Sequence, residues 1–329
     1  MTENYLPDSA KNLPGEYLVK LEDRKALKVS GPDTTKYLQG QLTHDIKLLS
    51  RERSLLACHC EFKGKTWDIY TVATDGNNNF LIGHRGAVDK SLEQLKKYAV
   101  FSQVEITPAE DYVLLGGCGE SVQQWIAEHF ASLPDRHQGA ICNNQGVVIR
   151  LDSPHTRYML LLKSDLAEDL MHKAAPLSPP PLWNLLDIQA GVASLNADTS
   201  GEFVPQMMNM QALDAISFSK GCYMGQEVVA RTKFLGKNKR AAFILKAQGH
   251  RALKPGDILE KQLGENWRRG GTVLSCVALA KETWVLAVLA NDTASDEILR
   301  SKEQPDIHFK VQPLPYTLEA ESDKSALGR

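Results

Sequence analysis

Residues 220–231 read Lys-Gly-Cys-Tyr-Met-Gly-Gln-Glu-Val-Val-Ala-Arg. Glycines at 221 and 225 permit a backbone turn where a side chain would clash. From Gln226 to Phe234 the spacing turns helical: Val228, Val229 and Phe234 can share one face, Glu227 and Arg231 another. Glu227 precedes Arg231 by four residues, the favourable order for an ion pair on a helix. The stretch therefore predicts a tight turn, carrying Cys222 and Tyr223, that runs into the N-terminus of a short helix. Lys220 and that N-terminus would both lower the pKa of the Cys222 thiol. An ordinary turn-to-helix junction in a core is the competing reading.

Working outward, the chain changes texture on either side. Downstream of the basic junction Gly236-Lys237-Asn238-Lys239-Arg240, short apolar runs at 241–247, 257–261, 271–277, 284–289 and 308–311 alternate with Gly and Pro turns. That pattern predicts a small β-barrel or sandwich. Upstream, Ser178-Pro179-Pro180-Pro181 reads as a stiff stop, followed by a helix over 182–192 that carries Trp183. A tryptophan there can be core, or a flat wall for a planar ligand. Residues 16–29 suggest a hairpin or two short strands. Asp33 is placed to cap a helix over 34–42 with Tyr37, Leu38 and Leu42 inward. Runs at 54–74, folded about Phe62-Lys63-Gly64-Lys65, and at 80–84 precede a helix over 87–98 and strands over 100–106 and 112–116. This order predicts an antiparallel sheet with a helix on one face. Further on, helices are expected over 119–133 and 166–174, and strands over 147–151 and 158–162.

The bulk numbers exclude several classes. Thirty-eight basic residues stand against 40 acidic, a net charge of −2, which argues against a protein held to nucleic acid mainly by phosphate contacts. We expect any direct nucleic-acid binding to be weak or absent. The N-terminal residues show no secretory signal and no run is long enough to span a bilayer. Six scattered cysteines in a chain of this length imply free thiols in a reducing cytoplasm. Cys58-His59-Cys60-Glu61 has a metal-like composition, but alternate residues of a strand face opposite sides and no second ligand pair completes a site. Core thiols and no metal are expected. Gly116-Gly117-Cys118-Gly119 lacks phosphate-loop spacing and reads as a strand-to-helix turn. Lys233, Lys237, Lys239, Arg240, Arg268 and Arg269 are either solvated surface or an anion site for phosphate or polyglutamate.

Lys220 to Glu227, continued by Val228-Val229-Ala230-Arg231, resembles the signature of the YgfZ family. The resemblance extends to Gly31, the run from Tyr37 to Thr43 with Asp45, and Lys63-Gly64-Lys65. It also takes in the runs at 95–101, 188–191, 203–206 and 266–269, and Pro313-Leu314-Pro315-Tyr316. It implies an α+β, three-lobed fold related to the glycine-cleavage T-protein aminomethyltransferase, with a central folate channel and a C-terminal β-barrel. Residues 1–240 would form two interleaved lobes, the second spanning roughly 50–115, and residues 241–329 the barrel. The 220–231 turn would lie at the mouth of the channel.

The resemblance further implies a folate, tetrahydrofolate or a derivative, bound at Trp183. Arg24 stands where the family has a second tryptophan. The site would include the motif residues Gly221, Gly225 and Gln226, with Cys222 as the candidate reactive thiol and Lys220, Tyr223 and the Glu227–Arg231 pair positioning it. In the T-protein an acid pair follows the hairpin glycine and its first member is catalytic. Here those positions read Trp67-Asp68, and a shift of one residue on a strand reverses the face. Ordinary aminomethyl transfer is therefore not expected. The implied role is a monomeric, folate-binding accessory to tRNA modification, such as methylthiolation, and to the maintenance of an iron–sulfur tRNA-modifying enzyme. The alternatives are a folate-dependent one-carbon transferase acting on a small molecule, or a binding module with a structural Cys222.

Overall fold

The computed structural model describes residues 6–236 and 238–318. In chain order the elements are β1 (Tyr17–Lys20), β2 (Arg24–Ser30), α1 (Thr34–Gln41), β3 (Leu55–Cys60), β4 (Thr66–Thr74), β5 (Asn79–His84), α2 (Arg85–Tyr98), β6 (Glu105–Pro108) and β7 (Tyr112–Cys118). There follow α3 (Glu120–Phe130), β8 (Ala140–Asn143), β9 (Gly146–Leu151), β10 (Arg157–Lys163), α4 (Ser164–Lys173), β11 (Leu177–Ser178), α5 (Pro181–Gln189) and α6 (Gln226–Phe234). The last six strands are β12 (Arg240–Gln248), β13 (Ile258–Leu263), β14 (Asn266–Ala278), β15 (Glu282–Ala290), β16 (Ile298–Ser301) and β17 (His308–Gln312).

Two sheets share the chain. One runs β3-β4-β5-β2-β6; the other runs β11-β1-β7-β10-β9-β8. β1 and β2 are only three residues apart, yet they are not a hairpin: Lys20 pairs with Leu115 and Arg24 with His84. The chain leaves the second sheet after β1, builds the whole of the first, and returns at β7. The strand expected over 112–116 thus belongs to the other sheet. The strand expected over 100–106 begins only at Glu105, because Gln103 N–H is held by the Asp33 carboxylate at 2.8 Å and the segment before it is a turn. Asp33 consequently does not cap α1 with its side chain.

The apolar alternation of the facing strands builds the core between the sheets. Val19, Ala26, Phe80 and Ile82 meet Ile149, Met159 and Leu161 there. α5 lies at this junction. Pro181 occupies its first turn, where a missing N–H costs nothing. Leu182, Trp183, Leu185, Leu186 and Ile188 are all buried, so the helix is apolar nearly all round. β12 to β17 close into a six-stranded antiparallel barrel, with β16 completing the strands read from sequence. The α+β class with a C-terminal barrel is as expected. The barrel's outer face, with Ala242, Ile244, Leu286 and Val288, packs on Leu185 and Ile188. The Asn209 side chain clamps Ala242 N and O at 3.0 and 2.7 Å. Among the described residues, no helix is long and apolar enough to cross a membrane.

Candidate functional site

A cavity of about 660 Å³ opens between the two sheets, within the range that holds a drug-sized ligand. Its walls are largely apolar: Leu56, Ile69, Ile82 and Met159 from the strands, Ala190 and Ala193 after α5. Tyr316 returns from the C-terminal segment to close one side, donating to Gly191 O at 2.7 Å.

Charged side chains line the cavity too: Arg53, Arg136, Asp152 and Asp214, and a hydrogen-bonded group on and beside α5. Asn184 and Asp187 are three apart on α5 and so share a face. Arg24 Nη2 donates to Asp187 Oδ2 at 2.7 Å and to Asn184 Oδ1 at 3.3 Å. Arg157 Nη2 donates to Asp187 Oδ1 at 2.7 Å. One carboxylate therefore holds two guanidinium groups, and all three side chains line the cavity. The trio carries a net positive charge. Arg157 is 1% exposed, and its Nε and Nη1 have no partner among the described residues.

Trp183 lies one layer behind. It is fully buried, does not line the cavity, and is covered by the Arg157 guanidinium, 4.2 Å from the ring centroid. Gly116 is so close to it that a Cβ there would overlap the indole. Any ligand in this cavity meets Arg157 before Trp183. Arg24 does line the cavity. Asp187 and Arg157 carry no motif in the sequence. Only the i, i+3 polar pair on an otherwise apolar helix could have pointed to them.

Ile69 and Thr71 face the cavity from β4, so the alternation sends Asp68 to the other side. There Asp68 meets Gly83, Tyr70 and Val88. It is fully buried, and burial pushes its carboxyl well above the usual range. Trp67 packs against Gly201, under the Lys90 ammonium 4.6 Å from the ring. His59 is also buried, with Nδ1 2.7 Å from Ser91 Oγ, and burial lowers its pKa to about 3. Among the described residues no three acidic, His or Cys side chains gather as metal ligands.

The 220–231 stretch lies elsewhere. None of its residues lines the cavity, so the turn does not form the cavity mouth. It docks instead on the end of α1 and the β3–β4 hairpin. Gly225 takes φ +81°, and a Cβ there would stand 2.5 Å from Glu61 O and 3.0 Å from Gly64 Cα. Met224 N–H donates to Gly40 O at 3.0 Å. Tyr223 is buried, and burial raises its pKa. Lys220 is 8% exposed and donates to Gln39 O, Leu42 O and His44 O at 2.7, 2.7 and 2.9 Å. All three of its donors are thus occupied by carbonyls at the end of α1, not by the thiol.

Gln226 opens α6, its N–H donating to Tyr223 O at 3.1 Å. Gly221 has open space around it. Glu227 and Arg231 pair at 3.3 Å on the exposed face. Phe234 is 63% exposed, not packed with Val229 as the spacing suggested. Lys237 lies outside the described residues.

Cys222 is exposed, whereas Cys58 and Cys60 are buried and the other three thiols are intermediate. A maleimide should label Cys222 first in the native protein, and Cys58 and Cys60 only on unfolding. Peptide mapping showing Cys58 modified ahead of Cys222 would refute this arrangement.

Over its length the chain has the fold of aminomethyltransferase T. The glycine-cleavage enzyme of Bartonella henselae superposes with a TM-score of 0.68, covering 92% of this chain and 86% of that one, at 15% identity. The chain belongs to the YgfZ family. Residues 238–304 match the family description "YgfZ, beta-barrel domain". The "tRNA-modifying protein YgfZ" of Yersinia enterocolitica is 42% identical over 305 residues, 92% of each chain. That of Serratia proteamaculans is 41% identical over 319 residues, 96% of each.

Proposed function

We propose that the protein binds a folate, tetrahydrofolate or a derivative, in the inter-sheet cavity and supports tRNA modification. In this reading it acts in the cytoplasm, as an accessory that maintains an iron–sulfur tRNA-modifying enzyme. The observation that carries the ligand reading is the meeting, in one cavity, of apolar strand residues with the charged Arg24–Asp187–Arg157 trio. Leu56, Ile82 and Met159 offer apolar surface to a flat heterocycle. The Arg24–Asp187–Arg157 trio offers N–H donors beside carboxylate acceptors. A pterin edge presents the complementary acceptors and donors. Bound there, a tetrahydrofolate would supply a one-carbon carrier. The names borne by the relatives support the tRNA role.

Ordinary aminomethyl transfer is not part of this reading. The acid nearest the expected position, Asp68, is buried and faces away from the cavity. Asp187 is the acid of the trio, and both its oxygens are held by arginines; Asp152 and Asp214 also line the cavity.

Titration calorimetry with 5-formyltetrahydrofolate tests the pocket. Met159→Trp fills the cavity and should weaken binding at least about tenfold, roughly 1.4 kcal/mol. Equal affinity in the two proteins would place the ligand elsewhere. In a deletion strain, tRNA nucleosides read by mass spectrometry should recover with the wild-type gene but not with Met159→Trp. Full recovery with the variant would separate the cavity from tRNA modification. Turnover of glycine-derived aminomethyl groups by the purified protein would overturn the accessory role.

A further inference from the structure

The near balance of charge over the whole chain predicts weak contact with nucleic acid, but the charge around α6 does not follow that average. Arg231, Lys233 and Lys239 fall within nine residues that contain no acid, although Arg231 is paired with Glu227 at 3.3 Å, which leaves the two lysines as the free charges among these described residues. All three are exposed. The β3–β4 hairpin tip adds Lys63 from a distant part of the chain. The two stretches are in contact: Gly64 approaches Val228 so closely that a Cβ there would lie 2.8 Å from the valine Cβ. The segment after α6 stays beside it, because Asn238 donates to Gln206 O at 3.1 Å while Gln206 donates to Val229 O at 2.6 Å.

Aromatic rings stand among these cations. Phe62, at the hairpin tip, is 67% exposed, with the Lys63 ammonium 5.5 Å from its centroid. Phe234, at the end of α6, is 63% exposed and meets Phe218 edge-on at 6.1 Å. Lys233 Nζ lies 4.1 Å over the Phe218 ring. α6, which ends at Phe234, begins at Gln226, a few residues after exposed Cys222. Nothing in the fold needs Phe62 or Phe234 outside. An apolar protein partner would be matched by a continuous greasy patch. Here Phe62 lies on one element and Phe234, with exposed Leu235 beside it, on another, with an ammonium beside Phe62 and another over the Phe218 ring that Phe234 meets. That is the arrangement by which single-stranded nucleic acid is held: rings stack bases, cations take the phosphates between them.

We propose that α6 and the β3–β4 hairpin tip form a docking surface for single-stranded RNA, with a strand lying across Phe62 and Phe234 beside the Cys222 turn. The surface is separate from the cavity, so it stands or falls independently of folate binding. The family's association with tRNA makes a looped-out tRNA segment the natural form of such a strand.

The test is fluorescence anisotropy of the full chain with an end-labelled oligouridylate. Affinity should fall with salt, with a log–log slope of about −2 to −3 if three or four phosphates are contacted. Phe62→Ala and Phe234→Ala should each weaken binding about tenfold, and Lys63→Glu should make the slope shallower by about one contact. All three positions are on the surface, so an unchanged melting profile will show that the variants fold. No binding at low salt would overturn the proposal. So would wild-type affinity in a Phe62→Ala, Phe234→Ala double variant. Equal affinity for polyglutamate, with the same loss in the variants, would reassign the surface to an acidic protein partner.

Discussion

Asp187→Ala is expected to cost the fold about 3–5 kcal/mol, read as a lowered urea midpoint with an unchanged slope. The reason lies in Arg157, not in the carboxylate itself. Arg157 is 1% exposed and, among the described residues, its Nη2 is anchored only by Asp187 Oδ1, at 2.7 Å. With the acid gone, a buried guanidinium keeps the Trp183 ring for company but no counter-charge. Cation–π attraction is worth at most a few kcal/mol and was already present. Arg24 suffers less, since Asn184 Oδ1 still accepts from it at 3.3 Å and Asp23 lies 3.9 Å away. Asp187→Asn should fall between, because the amide keeps the shape and one acceptor but loses the charge. The decisive control is Arg157→Leu combined with Asp187→Leu. Replacing a buried ion pair with apolar side chains is often close to neutral, so the double variant should recover most of the loss. If it proves as unstable as Asp187→Ala, the cost comes from the lost helix contact and not from a stranded charge. The double variant should also lose ligand binding despite its stability, because two of the trio's three charged groups are gone from the cavity. Stability and binding therefore separate in one pair of proteins.

What the sequence could reveal follows from the range of each interaction. Local periodicity placed α6 over Gln226–Phe234 without error, since its glycine start and its i, i+4 pair are all short-range. The barrel was legible because short apolar runs broken by Gly and Pro leave few other folds. Sheet membership was not legible. Three residues separate β1 from β2, and nothing local says that Lys20 pairs with Leu115 while Arg24 pairs with His84. The cavity was hidden for the same reason. Asp187, Arg24 and Arg157 come from three elements that meet only in the fold. Trp183 was found by its resemblance to a family position, but only the structure could show Arg157 lying between it and the cavity. In the 220–231 turn the sequence exposed the residue types and concealed their partners. It suggested that Lys220 serves Cys222, whereas the ammonium faces the end of α1.

That difference sets the expected behaviour of Lys220→Met. Gln39 O belongs to the last turn of α1, and Leu42 O and His44 O follow it, so these carbonyls have no helix donor. Lys220 reaches all three. Methionine keeps the stem and removes the donors, leaving three acceptors in a site that is 8% exposed for the lysine. At about 1–3 kcal/mol for each unsatisfied buried group, a loss of at least about 3 kcal/mol is expected near neutral pH. Lys220→Arg should not rescue it, since a planar guanidinium cannot converge on one point as an ammonium does. The pH dependence gives a second signature. Burial pushes the Lys220 pKa down from 10.5 to about 8. Below about 8 the ammonium is charged in both folded and unfolded chains. Between about 8 and 10.5 the unfolded chain holds the proton that the folded one has released, so the wild type gains stability as pH rises through that window. Lys220→Met lacks this group, so the gap between the two proteins should widen from neutral pH toward pH 10. A gap that narrows would mean that the proton is held more tightly in the fold than in the unfolded chain, and that the three carbonyls outweigh the burial. Maleimide labelling of Cys222 separates this anchoring role from an electrostatic one. If Lys220 acts only on α1, the variant, kept cold enough to stay folded, labels at close to the wild-type rate. A marked slowing in a protein that remains folded would return Lys220 to the service of the thiol.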